Sequence, residues 1–300
     1  MFIIIYMDAK LLTLIELSKV NSFTKAAKTL NLTQPAVSQH IKQLEEEFDA
    51  KLFIRSNNNL SLTKEGEIVL KYALRIQSLY NDMNRKLKDY KKCANNLTVG
   101  ITHTSESNIA PEIMAKYSER NSGSHIRIIS DSIKNLYEKL SLYQIDLAII
   151  EGKITNKKFS SILLGTDSLV AVVSLDNPLA NKKVVTINDL KKENLILRNL
   201  ESGTSTLFVN ELAKMDEDIN NFHLSLEMDN VASIKMLVRK NLGISILPKS
   251  ACSREIKENK LVGLPIENLD LIRETNLVFI DNNIDRNILE DIVSIYRESI

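Results

Sequence analysis

Two cysteines in 300 residues, Cys93 and Cys252, are too few and too far apart for a disulfide framework or a zinc pattern. They fit a reducing compartment, and the expected location is cytoplasmic. The four histidines, His40, His103, His125 and His223, form no H-x-x-x-H and no mixed Cys/His spacing, so no metal site is expected. There is no Gly-x-Ser-x-Gly elbow, no Walker loop and no dinucleotide fingerprint, so neither an enzyme nor a bound cofactor is expected. Long apolar runs are missing as well. The longest near the start, Phe2 to Tyr6, is far too short for a bilayer and lacks the basic flank and small-residue cleavage site of a signal peptide. No membrane partner is expected. A second methionine, Met7, follows that run, leaving open an upstream start or a frayed strand, and residues 1–6 are given no functional role.

What is present is the balance of a globular protein, with 44% hydrophobic and 26% charged residues. The length predicts two or three domains. The net charge of +1 is unevenly spread. Residues 1–93 hold fifteen Lys/Arg against ten Asp/Glu, and the remainder holds twenty-four against twenty-eight. A basic front and an acidic back are expected if only the front meets phosphate.

The first sixty residues predict three helices and a hairpin. Leu11, Leu12, Leu14, Ile15 and Leu17 line a helix that Asp8 can cap. After Asn21, Ser22 caps a second helix carrying Phe23, Ala26, Ala27 and Leu30, whose paired alanines admit a close neighbour. Thr33 caps a third, with Pro35 in its first turn, where the missing N–H costs little. Val37, Ile41, Leu44 and Phe48 form its apolar stripe. The opposite face carries Gln34, Ala36, Ser38, Gln39, Lys42 and Gln43. These are short or amide-bearing side chains suited to base edges, and Lys42 suits phosphate. Acid enters only at Glu45, Glu46 and Glu47, so the helix reads as one entering a major groove N-terminus first. Leu52-Phe53-Ile54-Arg55 and Leu60-Ser61-Leu62 flank the polar turn Ser56 to Asn59 and predict a wing whose Arg55 meets backbone or minor groove. An ordinary three-helix domain with a surface hairpin is the plainer alternative.

Ser22-Phe23-Thr24-Lys25-Ala26-Ala27, Leu32-Thr33-Gln34-Pro35-Ala36-Val37-Ser38-Gln39, Ile41-Lys42-Gln43-Leu44-Glu45, Leu52-Phe53-Ile54-Arg55 and Leu62-Thr63-Lys64-Glu65-Gly66 resemble the LysR-type transcriptional regulators in order and spacing. The resemblance implies a winged helix-turn-helix that binds a double-stranded, partly palindromic DNA operator as a homodimer or homotetramer. Thr33, Gln34, Pro35, Ala36, Ser38, Gln39, Lys42, Gln43 and Arg55 are its expected DNA contacts. The wing departs from the family in offering Ser56 and three asparagines where arginine is common.

From Lys64 to about Lys92 there is no proline, and the only glycine, Gly66, lies in the first turn behind a capping Thr63. Val69, Ala73, Ile76, Tyr80, Met83, Leu87 and Tyr90 follow alternating spacings of four and three, the seam by which a helix buries itself against a partner. Such a helix reaches roughly 40 Å. The expectation is a dimerisation seam; packing against its own chain is the alternative.

Beyond Asn96 the texture changes to strand–helix alternation: strands at Leu97–Ile101, His125–Ser130, Asp146–Ile150, Ser168–Ser174, Leu195–Arg198, Leu224–Glu227 and Ile244–Leu247, with helices between them. This predicts open parallel sheets with ligands at the carboxyl ends of strands. Two polar turns, Thr102-His103-Thr104-Ser105 and Glu201-Ser202-Gly203-Thr204, precede helices and offer hydroxyls and N–H groups to an anion, although caps of this composition are commonplace. Val99 to Thr104 with Pro111, Asp146 to Gly152, Asn177-Pro178-Leu179-Ala180, Ser202-Gly203-Thr204 and Leu242 to Pro248 resemble the LysR substrate-binding domain, two periplasmic-binding-protein-like α/β lobes with the effector in their cleft. The resemblance implies Thr102, His103, Thr104, Glu151, Ser202, Gly203, Thr204 and Asn230 as cleft residues. Ser205 stands where family members often have Arg, and His103 where a small hydroxyl residue is common. A strongly anionic effector is less expected for that reason, although protonated His103 can restore part of the charge.

The expected plan is α/β with an N-terminal all-α winged helix-turn-helix at 1–63, a linker helix at 64–93 and a two-lobed effector domain at 94–300. Lobe I takes 94–164 with 282–300, and lobe II takes 165–281. The expected function is sequence-specific DNA binding modulated by a small-molecule co-inducer, with RNA polymerase as a further partner. The alternative is an effector-binding protein that acts through protein partners with weak or non-specific DNA binding.

Overall fold

In the computed structural model, which describes residues 8–56, 59–92, 96–107, 109–152, 154, 156–200, 202–281 and 283–299, local capping signals set the N-terminal elements. Residues 1–7, Asn57, Asn58, Cys93 and Glu201 lie outside the described residues. The chain divides into two compact units, Met1–Lys92 with Ser141–Gln144 and Cys93–Leu140 with Ile145–Ile300.

In the first unit the Asp8 carboxylate accepts from the Lys10 N–H and opens α1 (Ala9–Val20). Ser22 caps α2 (Phe23–Leu30) and Thr33 caps α3 (Gln34–Glu47). Asn21 and Asn31 close α1 and α2 in the left-handed region, at φ 47° and 54°. Asparagine tolerates that region better than most residues. Leu14, Ile15, Leu17, Ala26, Ala27, Val37, Ile41 and Leu44 bury one shared core. Phe48, the expected end of the α3 stripe, is instead its C-cap and is 44% exposed. The pattern runs one residue past the helix it was read from.

β1 (Phe53–Ser56) and β2 (Asn59–Leu62) pair antiparallel, Phe53 opposite Leu62 and Arg55 opposite Leu60, and form the expected hairpin. Thr63 accepts from the Gly66 N–H to start α4 (Lys64–Lys92). Gly66 has no alternative: a Cβ there would lie 2.1 Å from the Leu52 carbonyl oxygen. The hairpin base and the first turn of α4 are in backbone contact.

The second unit is organised by residue alternation. Its seven-stranded sheet runs β10 (Val262–Leu264), β6 (Ser160–Val173), β11 (Ile272–Phe279), β5 (Leu147–Glu151), β3 (Leu97–Thr102), β4 (Ile126–Asp131), with β9 (Ser245–Pro248) also on β6. β7 (Asn194–Leu197) and β8 (His223–Glu227) form a separate parallel pair. On β5, Leu147 and Ile149 face α5 (Ala110–Arg120) and α11 (Arg286–Ser299), while Ala148 and Ile150 face α6 (Ile133–Ser141). On β6, Leu169, Ala171 and Val173 share a core with Phe208 and Leu212 of α8 (Gly203–Ala213). Val170 and Val172 share another with Val231, Ile234 and Val238 of α9 (Val231–Arg239). A period of two with both faces apolar is the signature of a sheet covered on two sides. Two short helices, α7 (Ile187–Leu190) and α10 (Ser253–Lys257), complete the second lobe.

Two expectations need correction. The sheet is mixed: β3 is parallel to β4 and β5, but β11 runs antiparallel to β5 and β6, and β6 antiparallel to β9 and β10. Long-range antiparallel pairing leaves no local signal. The lobe boundary also moves, because β6 and β11 both pass through the two lobes. Leu277 and Phe279 pack in the first lobe's core with Leu147 and Ile149, so the return to lobe I falls within β11 and precedes residue 282.

Candidate functional site

Two surfaces carry the sequence-predicted residues, one in each unit. In the first, Thr33, Gln34, Pro35, Gln39, Lys42 and Gln43 are exposed along α3, and Ala36 and Ser38 are half-buried on the same side. The Gln34 amide donates to the Ser38 hydroxyl at 3.1 Å. His40 Nδ1 lies 2.8 Å from the hydroxyl of Thr13 on α1, and Lys10 on α1 pairs with Glu47 at 2.7 Å, so α3 is pinned to α1 at its middle and at its C-terminal end. Lys42 pairs with Glu46 one turn on at 3.5 Å, both largely exposed. Such a pair is weak and can be exchanged for a phosphate.

Glu45 is withdrawn from that surface. Its carboxylate accepts from the Leu52 N–H at 3.0 Å and from Lys51 at 2.7 Å. Burial pushes its pKa up, but these hydrogen bonds outweigh burial and hold it below the usual carboxylate range. The carboxylate thereby anchors the hairpin to α3. Arg55 sits on β1 with its backbone described; its side chain lies outside the described residues.

On α4 the structure divides the expected seam. Ala73 is fully buried, and Val69, Leu70 and Leu74 pack against the core of their own unit. Ala73 is therefore withdrawn from any seam, because the small side chain is already used for close packing on the helix-turn-helix. The apolar residues left uncovered are Ile68, Tyr72, Ile76, Leu79, Met83 and Leu87, each at least 45% exposed. Of the residues read from spacing, Ile76, Met83 and Leu87 belong to this stripe, Tyr80 is half-buried, and the Tyr90 side chain lies outside the described residues.

In the second unit the turns after β3 and β5 converge, as the carboxyl ends of neighbouring parallel strands must. Thr102, Thr104, Ser105 and Glu151 are all buried. The hydroxyls of Thr102 and Ser105 each donate to one oxygen of the Glu151 carboxylate. Arg273, on β11 and buried, places Nη2 3.8 Å from Glu151 and 3.5 Å from Asp167. Asp167 also accepts from the Ser250 hydroxyl at 2.5 Å. Glu151 is thus part of a closed charge network at the strands that join the lobes. His103 is half-buried, with no side-chain hydrogen bond among the described residues.

From the opposite lobe comes Arg198, which follows β7 and is only 5% exposed. Its Nη1 donates to the Thr104 hydroxyl of lobe I at 2.7 Å, and its Nε donates to the Asp229 carbonyl at 3.2 Å. Burial pushes this guanidinium below its ordinary value while the carboxylates of Asp229 and Glu151 push back; arginine stays charged at any physiological pH. Ser202 caps α8 by accepting from the Ser205 N–H at 3.2 Å, and Ser205 donates to the Arg198 carbonyl at 2.7 Å. The Thr204 hydroxyl in the first turn of α8 is buried and has no hydrogen-bond partner among the described residues. A Cβ on Gly203 would touch Ile133 of lobe I at 3.5 Å, so this helix end faces the other lobe. Asn230 is exposed, and its side chain is spent in capping α9 through the Ser233 N–H.

Sequence reasoning placed Ser105 in the polar turn after β3 without singling it out, and it missed Arg198, Asp167 and Arg273. A carboxylate that ends an apolar strand, as Glu151 does, signals a buried partner without saying which. Among the described residues no group of three His, Cys, Asp or Glu could hold a metal, and no helix is long and apolar enough to cross a membrane.

Residues 9–67 match the family described as "Bacterial regulatory helix-turn-helix protein, lysR family", and residues 94–298 match the "LysR substrate binding domain". Among similar curated proteins, a "Probable RuBisCO transcriptional regulator" of Phaeodactylum tricornutum is 29% identical over 86% of this chain and 85% of its own length. The "RuBisCO operon transcriptional regulator" of Allochromatium vinosum is 27% identical over the same shares. Among solved structures, full-length CbnR complexed with its target DNA has a TM-score of 0.70 at 16% identity, covering 97% of this chain and 99% of that one. A Corynebacterium glutamicum OxyR mutant bound to H2O2 has a TM-score of 0.61 at 22% identity, covering 97% and 91%. These structural likenesses establish the shared fold.

Proposed function

Because this chain belongs to the LysR family of transcriptional regulators, with a helix-turn-helix DNA-binding domain and an effector-binding domain, we propose that it reads a specific operator as a homodimer or homotetramer under the control of a small molecule held between its lobes. The observation that carries the DNA reading is the acid-free, exposed N-terminal half of α3, capped by Thr33 and braced from behind through Thr13 and Lys10. A rigid helix with short polar side chains toward solvent suits base edges, and Lys42 and Arg55 suit phosphate. Thr33, Gln34, Pro35, Ala36, Ser38, Gln39 and Gln43 are the proposed contact face. The exposed stripe from Ile68 to Leu87 is the proposed contact between copies, because two half-sites one helical turn apart need two reading heads. Full-length CbnR, solved in complex with its target DNA, supports the same arrangement here.

For control, the effector prefers one lobe arrangement over another; a ligand binding both equally shifts nothing. Thr102, Thr104, Ser202, Gly203 and Thr204 line the proposed cleft, with Glu151 and His103 at its lobe I side. RNA polymerase is the proposed partner for output, the proposed location is the cytoplasm, and no cofactor or catalytic step is assigned. The test is a footprint of the purified protein on DNA from upstream of its gene. A protected dyad supports the reading, and equal affinity for operator and random DNA defeats it.

A further inference from the structure

The geometry points to Arg198 as the residue that selects the effector by charge: its guanidinium is the anion receptor of the interlobe cleft, and the ligand class is a small carboxylate or phosphate anion. The inference rests on the proposed effector-binding role of that cleft and sharpens it. It also reverses the expectation drawn from Ser205, since the positive charge missing there is supplied seven residues earlier.

Three observations carry it. First, Arg198 is a buried cation held mostly by neutral groups, the Thr104 hydroxyl and the Asp229 carbonyl. Its ion-pair partner among the described residues is the Asp229 carboxylate, 3.7 Å away and 67% exposed. Burying a charge is costly unless it is closely paired, and this pairing is loose and solvent-screened. Second, the nearby buried carboxylate does not bond it: the Glu151 oxygens accept from Thr102 and Ser105, with Arg273 beside them, and Glu151 acts on Arg198 only by charge at a distance. Third, Thr204 is 1% exposed and its hydroxyl has no partner among the described residues; it lies in the first turn of α8, a helix of eleven residues whose start faces lobe I. Ser205 in the first turn of α8 donates to the Arg198 backbone carbonyl, which fixes the residue carrying the cation to this helix start. A guanidinium, an unused hydroxyl and a helix N-terminus together match a planar or tetrahedral oxyanion.

The arrangement also couples binding to lobe position. Thr104 belongs to lobe I, whereas Arg198, Thr204 and Asp229 belong to lobe II. An anion seated on Arg198 lies beside the Nη1–Thr104 bond that spans the lobes, so its charge acts on a contact between them.

The experiment is calorimetric titration of the full-length protein at constant ionic strength. The probes are inorganic phosphate, glycerol 3-phosphate and succinate, with glycerol and putrescine as neutral and cationic controls. The expected result is binding of at least one anion and of neither control; a phosphate that outcompetes succinate assigns the phosphate class, and the reverse assigns the carboxylate class. Arg198→Gln is expected to weaken that anion tenfold or more, Arg198→Lys less, and thermal melts without ligand check that each variant folds. If Arg198→Gln does not fold, the near-isosteric Thr204→Val carries the test, with a several-fold loss expected. The inference is overturned if the wild type binds none of the anions, if the controls bind equally well, or if a folded Arg198→Gln or Thr204→Val binds like the wild type. Its failure is separable from that of the regulator reading. An operator complex that still responds to the anion in Arg198→Gln defeats only the assignment of Arg198, whereas absence of operator binding by the wild type defeats the regulator.

Discussion

Gln39 is an exposed amide on a braced helix, able to donate and accept at once, which is the chemistry adenine presents in the major groove. Gln39→Ala is expected to cost about 1–3 kcal/mol on the operator and little on random DNA, read by competitive gel shift. Equal losses on both would remove the base-reading role. Glu45 gives a second prediction, in pH. Its folded pKa lies below the ordinary value near 4.3, so its stabilisation is complete above that value and is lost as pH falls through the lower folded pKa. Glu45→Gln should therefore cost about 1.5–3 kcal/mol near pH 6, the scale of hydrogen bonds to a charged group, and less at an acid pH below the folded pKa. Urea titrations at the two pH values measure this, and a pH-independent difference would refute it. At this scale, legibility follows distance along the chain. The caps Asp8, Ser22 and Thr33 bond residues two or three positions away and can be read from sequence. Arg198 bonds a hydroxyl 94 residues away, and no local spacing pairs it with that partner.

Among the elements, α4 shows how one spacing pattern can serve two surfaces. The alternating three-and-four spacing is present, but Ala73 and Val69 are claimed by the core of their own unit, and the uncovered stripe is rotated toward Ile68, Tyr72 and Leu79. A helix with two partners presents two overlapping stripes, and spacing alone does not divide them. The division makes a prediction: Met83→Asp, placing a charge at a 49% exposed position, should reduce the oligomer without lowering the protomer's melting temperature. Ala73→Asp, at a fully buried position, should unfold the first unit instead. Sedimentation and thermal melts distinguish the two, and an unchanged oligomer in Met83→Asp would exclude the stripe as the contact. β6 and β11 teach the same lesson for strands. Only the end of β6, Ser168 onward, was legible as a strand and β11 was not, and their antiparallel partners lie too far along the chain to be inferred.

For the molecule as a whole, the positive balance is confined to residues 1–93. Affinity for any DNA should therefore fall steeply with salt, through release of counterions from the phosphates met by that part. Arg55→Ala is expected to weaken operator and random DNA alike and to reduce the slope of log affinity against log salt by about one. Fluorescence anisotropy at several salt concentrations measures it, and an unchanged slope would take Arg55 off the phosphate backbone. The order of modules was legible at this scale because composition changes with each: capped short helices, one long helix without proline, then alternating strands and helices.

The contact at Gly66 has a mechanical corollary. With the Leu52 carbonyl only 2.1 Å from where a β-carbon would stand, the joint between hairpin and shaft has no slack to absorb a twist. Head and shaft turn as a single lever. In any pair joined through the uncovered stripe, a few degrees of change in how two shafts cross near Met83 would be magnified at Gln39 into ångströms of travel along the groove.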